Sequence, residues 1–339
     1  MSMDLALRPE DVELCAALDA LLSKESAPAR VRAAEALGFD PELWQALVAV
    51  GVPALAAGPD AAGAEQLVLI AEQAGRHLAS APVVESLVTA RLLDRAPAGA
   101  VTDLAAAAAS GRIITLAPQE TAATTALLVP AGAVADTVLC YDGGELAAVT
   151  SPAPMVAAPN LGSLALADRD LTAGTRTVLA TGAAAAALVD QARCEWQLLT
   201  AAQLIGLAAR ALEMAVDYVR GRVIFDRPVA TFQTVAHRLA DHATAVDGGR
   251  LLVQEAAWAR DVGSPRADEL AAMAYCFAAE TALAVAADSL HYHGGYGFTL
   301  EYDIQLYYRR ARAYPLVRGS VAQEYQALAN RLYGMGGSS

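Results

Sequence analysis

Arg220, Arg222 and Arg227 fall within the short segment VRGRVIFDRPVATFQTV (219–235) of an otherwise acidic chain. A planar guanidinium binds phosphate oxygens through parallel N–H bonds, and a helix predicted to end near Gly221 would present such groups beside a chain turn. The segment therefore offers anion recognition. Its competing reading is a solvated arginine cluster that complements the C-terminal end of a helix dipole. Phe225-Asp226-Arg227-Pro228 reads as an extended loop, and Thr231 as the cap of the helix that follows.

A second segment, HYHGGYGFTLEYDIQLYYRR (291–310), gathers Gly294, Gly295 and Gly297 where a helical pattern breaks off. Glycines allow backbone to approach a flat or charged ligand. The spacing is not that of a dinucleotide fingerprint, because no strand precedes it. His291 and His293 would diverge on a helix, so a two-histidine metal site is not expected. Tyr307 and Tyr308, followed by Arg309, Arg310 and Arg312, read either as core aromatics beside a wet helix face or as ligand contacts.

A third segment, AYPLVRGSVAQEY (313–325), carries Arg318 directly before Gly-Ser. Ser320 and Gln323 have the spacing of a capping box for the last helix, which leaves Arg318 as a solvated residue ahead of it.

These segments need helices to position them. A chain of 339 residues with 55% apolar and 18% charged composition can bury a large core in two or three domains. Residues 8–110 read as a helical unit, with Val12, Cys15, Leu18 and Leu22 on one face and Leu43, Trp44 and Leu47 on another. Breaks are expected at 80–82 and at Pro97. From about Gly111 the runs become short and β-leaning, with Asp142-Gly143-Gly144 as a turn. From about Ala183 the helix period returns in long, alanine-rich segments. The expected organisation is an N-terminal helical domain (1–110), a short β domain (111–182) and a C-terminal helical domain (183–339).

Other classes are opposed. Lys+Arg 24 against Asp+Glu 37 gives a net charge of −13, which disfavours nucleic acid as a partner. Cys15, Cys140, Cys194 and Cys276 are too scattered for a zinc site or a disulfide framework. The start, MSMDLALRPEDVEL, is acidic where a signal peptide would be basic and then apolar, and the stretch 178–189 is too short for a bilayer span. A cytoplasmic location without a membrane span is expected.

The run GLAARALEMAVDYVRGRVIFDRPVATFQTVAHRLAD, followed by HYHGGYGFTLEYDIQLYYRRARAYPLVRGS, resembles the C-terminal domain of flavin-dependent acyl-CoA dehydrogenases. The resemblance covers 183–334 and implies that family's fold: a helical bundle, a β domain, here reduced, and a second helical bundle. It implies that Arg222, Phe225 and Asp226 match the family's Arg-x-x-Phe-Gly element, which reaches the pyrophosphate of an FAD held mainly by a neighbouring subunit. Gln233 falls in the segment that follows. The family's glutamine-containing Gly-Gly turn at the adenosine end of FAD matches His291, Gly294, Gly295 and Gly297. Asp226 for glycine and His291 for glutamine are departures.

The family's glutamate, which takes the α proton of the acyl thioester, corresponds in the common layout to Arg318. An arginine stays protonated and has no acceptor. In some relatives the base lies instead near the start of the first long C-terminal helix, at the place of Trp196. Glu195 beside it is the alternative base, against a bland reading as an exposed carboxylate in an early helical turn. No loop of the kind that contacts the flavin ring is evident between 113 and 135. The resemblance therefore implies a subunit that supplies no catalytic residue and completes the FAD site of a catalytic partner, as in the two-plus-two heterotetramers of actinobacterial steroid side-chain degradation. The implied substrate is an acyl-CoA and the implied acceptor electron-transfer flavoprotein. A self-sufficient homomer using Glu195 and a non-catalytic scaffold are the other readings.

Overall fold

The computed structural model describes residues 6–97, 101–119, 121 and 124–334. Helices come first, strands next and long helices last, the expected order. The N-terminal part holds α1 (Pro9–Glu25), α2 (Pro28–Ala33), α3 (Pro41–Ala49), α4 (Ala64–Arg76), α5 (Val83–Arg95) and α6 (Val101–Ala109). Strands follow: β1 (Ile114–Leu116), β2 (Thr125–Val129), β3 (Thr137–Tyr141), β4 (Glu145–Thr150), β5 (Ala167–Asp170) and β6 (Thr175–Thr181). Then come α7 (Gly182–Gly221), the short strands β7 (Val223–Ile224) and β8 (Arg227–Pro228), α8 (Gln233–Asp261), α9 (Ala267–Tyr292), α10 (Ile304–Ala313) and α11 (Val321–Tyr333).

The chain divides into two compact units. One comprises Met1–Ser23, Val68–Leu78 and Gln197–Ser339; the other comprises Lys24–Leu67 and Ala79–Trp196.

In the second unit, Asp40 caps α3 by accepting from the N–H groups of Glu42 and Leu43 at 3.0 and 3.1 Å. Leu43, Trp44 and Leu47 are buried, as their spacing predicts. The four-stranded sheet runs β1-β3-β4-β6, with β1 parallel to β3 and the other pairs antiparallel. Asp142-Gly143-Gly144 makes the β3–β4 turn: the Asp142 carboxylate accepts from Gly144 and Glu145 N–H at 3.2 and 2.8 Å. Strands β2 and β5 form a separate antiparallel pair. Arg169, only 4% exposed, holds the surrounding loops by donating to the carbonyls of Gly132, Ala135 and Ser151 and to Ser151 Oγ.

In the first unit, α1 departs from the expected face. Leu18 and Leu22 are buried, but Val12 is 53% exposed and Asp11 takes the buried position. The reason is electrostatic: Arg8 forks onto the Asp11 carboxylate at 2.7 and 3.1 Å, so the acid is buried as a paired charge. Helices α4 and α7 meet backbone to backbone. A Cβ on Gly75 would lie 1.8 Å from the Gln203 carbonyl oxygen, and one on Gly206 1.9 Å from that of Glu72. Helix α9 packs by alanines at Ala271, Ala278, Ala282 and Ala286, all fully buried. Small side chains let neighbouring helix axes come close.

Helices α7 and α9 are long and apolar enough to cross a membrane, but 72% and 67% of their most apolar windows are buried inside the protein. Burial of that extent accounts for their composition as core helices.

Candidate functional site

The arginine segment does not form an extended loop. Strands β7 and β8 pair as Val223↔Pro228 and Ile224↔Arg227, and Phe225-Asp226 makes the two-residue turn between them. Both turn residues have positive φ, 52° and 59°, the geometry that matches the twist of a tight hairpin. Phe225 is 86% exposed at its tip. Arg220, Arg222 and Arg227 are exposed with it. Arg227 lies 4.1 Å over the Phe232 ring, a cation–π contact that leaves the edge of its guanidinium available.

Thr231 does not cap α8. Its hydroxyl donates instead to the Pro228 carbonyl at 2.7 Å, and the position before the helix belongs to Phe232, whose side chain has no capping atom. Gln233 is the first residue of α8 and is exposed. The helix thus starts beside the arginines with no side-chain cap on its free N–H groups.

The glycine segment lies at the end of α9, and the structure joins it to Arg222. The Tyr218 hydroxyl accepts from Arg222 Nη1 at 2.8 Å and donates to the His293 carbonyl at 3.3 Å. Gly294 has φ +66°, a conformation that favours glycine. A Cβ added at Gly294 or Gly295 would meet nothing within 4 Å, whereas one at Gly297 would lie 2.4 Å from the Leu290 carbonyl. Gly297 is therefore required by this chain's own packing, and Gly295 is not. His291 is exposed and His293 is buried, so the two diverge as expected. Among the described residues no group of three His, Cys, Asp or Glu could hold a metal.

Below this surface, Asp288 of α9 accepts from Arg238 Nε at 2.6 Å and pairs with His242 Nε2 at 2.7 Å on α8. Burial alone would raise the Asp288 carboxyl, but the two donors outweigh it and hold the group below its ordinary value. The pairing fixes the uncapped start of α8 against the end of α9.

Arg318 ends a 3₁₀ turn, Tyr314–Arg318, and Gly319 follows with φ +125°. The expected capping box is present: Ser320 Oγ accepts from Gln323 N–H, and Gln323 Oε1 accepts from Ser320 N–H at 2.9 Å. Arg318 is half-buried rather than fully solvated. It lies in the electrostatic reach of Tyr275, whose hydroxyl donates to the Pro315 carbonyl at 2.9 Å. Burial pushes the Tyr275 phenol far up and Glu324 adds to this, while Arg318 opposes both. Gln197 Nε2 donates to Glu324 at 2.6 Å. Cys276, beside the same carboxylate, is pushed up to about 12, chiefly by burial, and stays a thiol. At position 318 itself the chain presents a fixed cation with no acceptor, the phenol and thiol beside it stay protonated, and the carboxylate of this cluster, Glu324, is engaged by Gln197.

Glu195 departs from both of its expected readings. It lies well inside α7, not in an early turn, and is 4% exposed. Its Oε1 accepts from Arg91 Nη1 at 3.2 Å and from Arg95 Nη2 at 2.7 Å, both on α5, and Arg91 also donates to the Ala62 carbonyl. Its Oε2 is buried without a hydrogen-bond partner. Held by two guanidiniums and almost fully buried, it is not presented to solvent as an accessible base would be. Trp196 beside it is 7% exposed.

The arginine face of α10 is not wet throughout. Tyr307 is buried and donates to the Arg76 carbonyl at 3.0 Å, and Arg310, 3% exposed, donates to the Leu78 carbonyl. Both are structural. Sequence reasoning missed Tyr218, whose signal was its position one helical turn before Arg222.

Residues 195–333 match the family model for the acyl-CoA dehydrogenase C-terminal domain. Acyl-CoA dehydrogenase IpdE2 of Mycolicibacterium smegmatis is 30% identical over 327 residues, covering 93% of this chain and 96% of that protein. Among solved structures, the ChsE4-ChsE5 complex from Mycobacterium tuberculosis contains a chain with TM-score 0.85 and 26% identity, covering 99% of this chain and all of that one. A variant of the Tcur3481-Tcur3483 steroid ACAD shares the fold at TM-score 0.85 and 24% identity, covering 97% and 99%. The chain belongs to the acyl-CoA dehydrogenase family of oxidoreductases.

Proposed function

We propose that this chain is the subunit of a heteromeric, FAD-dependent acyl-CoA dehydrogenase that completes the flavin site of an unlike catalytic subunit without supplying the base. The complex would be a two-plus-two heterotetramer forming an α,β double bond in a CoA thioester, with electron-transfer flavoprotein as acceptor. The observation that carries the reading is Arg318, a half-buried cation at the family's carboxylate position, together with the sequestration of Glu195 by two arginines.

The residues present fit FAD. Arg222 and Arg227 provide charged donors for a diphosphate, the start of α8 adds free N–H groups and a positive dipole end, and Gln233 lies beside them. The open face above Gly294 and Gly295 has room for a flat group where neither neighbouring atoms nor, at Gly295, backbone torsion accounts for a missing Cβ. His291 is exposed and would offer a side-chain donor in place of an amide. When bound, FAD supplies the hydride acceptor for the β carbon. In this chain Arg222, Phe225, Gln233, His291, Gly294 and Gly295 bind and orient, and no residue at position 318 moves a proton.

A steroid side chain as acyl group is supported by the fold shared with the Tcur3481-Tcur3483 steroid ACAD, and a heteromeric assembly by the end-to-end match to a chain of the ChsE4-ChsE5 complex. The test is turnover. The chain purified alone should not oxidise acyl-CoA, and co-expression with an unlike acyl-CoA dehydrogenase chain that supplies the base should yield an active complex. Turnover by the lone chain that disappears in Glu195→Gln would overturn the proposal.

A further inference from the structure

Arg222 lies just beyond the last residue of α7 and is exposed, so its side chain would ordinarily sample many rotamers. The structure instead gives it a fixed rest. Its Nη1 donates to the Tyr218 hydroxyl at 2.8 Å, and its Cζ lies 5.7 Å from that ring's centroid. Tyr218 is held in turn. Its ring stacks on His293 with centroids 4.2 Å apart and planes 24° apart. His293 is 4% exposed, and its Nδ1 bonds the Ser289 carbonyl at 2.7 Å, which fixes the ring. Tyr302 meets both rings edge-on, at 6.4 Å and 5.9 Å. One phenol oxygen thus ties the guanidinium to the carbonyl immediately before Gly294.

We infer that Tyr218 and His293 are positioning residues that hold the Arg222 guanidinium and the Gly294-Gly295 turn as one preformed surface for the diphosphate and adenosine portions of FAD. The inference rests on the shared-site reading above. Its physical basis is preorganisation: a guanidinium already parked against a phenol loses less freedom on meeting the ligand, and its remaining N–H groups stay free to donate. Simple packing would account for the stacked rings. It would not account for a hydroxyl that accepts from the arginine and donates to the turn.

The test uses the complex of this chain with its unlike dehydrogenase partner, stripped of FAD and titrated with FAD by flavin fluorescence. Tyr218→Phe keeps the ring stack and removes the oxygen. The FAD Kd should rise about tenfold, the scale of a lost hydrogen bond to a charged group. In an Arg222→Ala background the same change should cost clearly less, because only the longer bond to the His293 carbonyl is then lost. His293→Phe, which keeps an aromatic stack, should retain affinity, while His293→Ala should weaken it as Tyr218→Phe does. Equal penalties for Tyr218→Phe in both backgrounds, or none in either, would overturn the positioning role while leaving the shared site intact. If Arg222→Ala alone leaves FAD binding unchanged, the shared-site reading itself fails and this inference with it.

Discussion

Replacing Glu195 by glutamine separates the two roles a carboxylate could have in this chain. The amide is isosteric and keeps an oxygen acceptor, but it leaves Arg91 and Arg95 without a counter-charge. Breaking a buried ion pair from one side costs about 3–5 kcal/mol. Arg95 has a side chain 34% exposed and Arg91 one 12% exposed, so water recovers part of the loss on the Arg95 side. The retained acceptor recovers more, and the net destabilisation should be about 2 kcal/mol. For a folded body of roughly this size each kcal/mol moves Tm by about 2–4 °C, which predicts a fall of about 4–8 °C. Circular dichroism melts of the wild type and Glu195→Gln measure it directly, alongside turnover of the assembled complex below the melt. Unchanged Tm with abolished turnover would refute the reasoning and make Glu195 the base.

Three further outcomes follow from the geometry. Gly206→Ala drives a Cβ to 1.9 Å from the Glu72 carbonyl oxygen, so α4 and α7 must separate; a loss of about 3 kcal/mol is expected, measurable by urea unfolding. Burial pushes the His293 imidazole below its ordinary value, so below about pH 6.5 the unfolded chain binds the proton that the native one refuses. That contribution is complete above the unfolded value and lost as pH falls, and His293→Phe should flatten the urea midpoint between about pH 7 and pH 5, with His77, shifted the same way, leaving a residual slope. Arg318→Glu restores a carboxylate beside Glu324 and Tyr275; it should lower Tm through like-charge repulsion and give the lone chain no turnover, which melts and an acyl-CoA assay with an artificial electron acceptor will read.

The parts of this structure that were legible in the sequence are those set by local chemistry. The buried triplet Leu43, Trp44 and Leu47 follows from helical period, the β3–β4 turn from Asp-Gly-Gly, and the last helix start from Ser320 and Gln323. Arg222 and the glycines of 294–297 stood out by residue type as candidates, and the structure links them through Tyr218. The remainder depended on distant partners. Glu195 is buried because Arg91 and Arg95, about a hundred positions earlier, neutralise it. Arg310 is buried because the Leu78 carbonyl receives it, and Asp11 displaces Val12 because Arg8 pairs with it. The tight turn at Phe225-Asp226 was hidden for a different reason: neither residue is glycine, so the sequence carried no sign of positive φ.

The most direct test of the central claim is a count of flavin. The chain is co-expressed with its unlike dehydrogenase partner, the complex is purified, and FAD is released and quantified against the two chains. One FAD for each pair of unlike chains is the expected result, because on the proposed reading Arg222 and the Gly294-Gly295 turn would complete a site that the partner mainly holds. Two per pair would mean that each chain carries a flavin of its own, and would contradict the account.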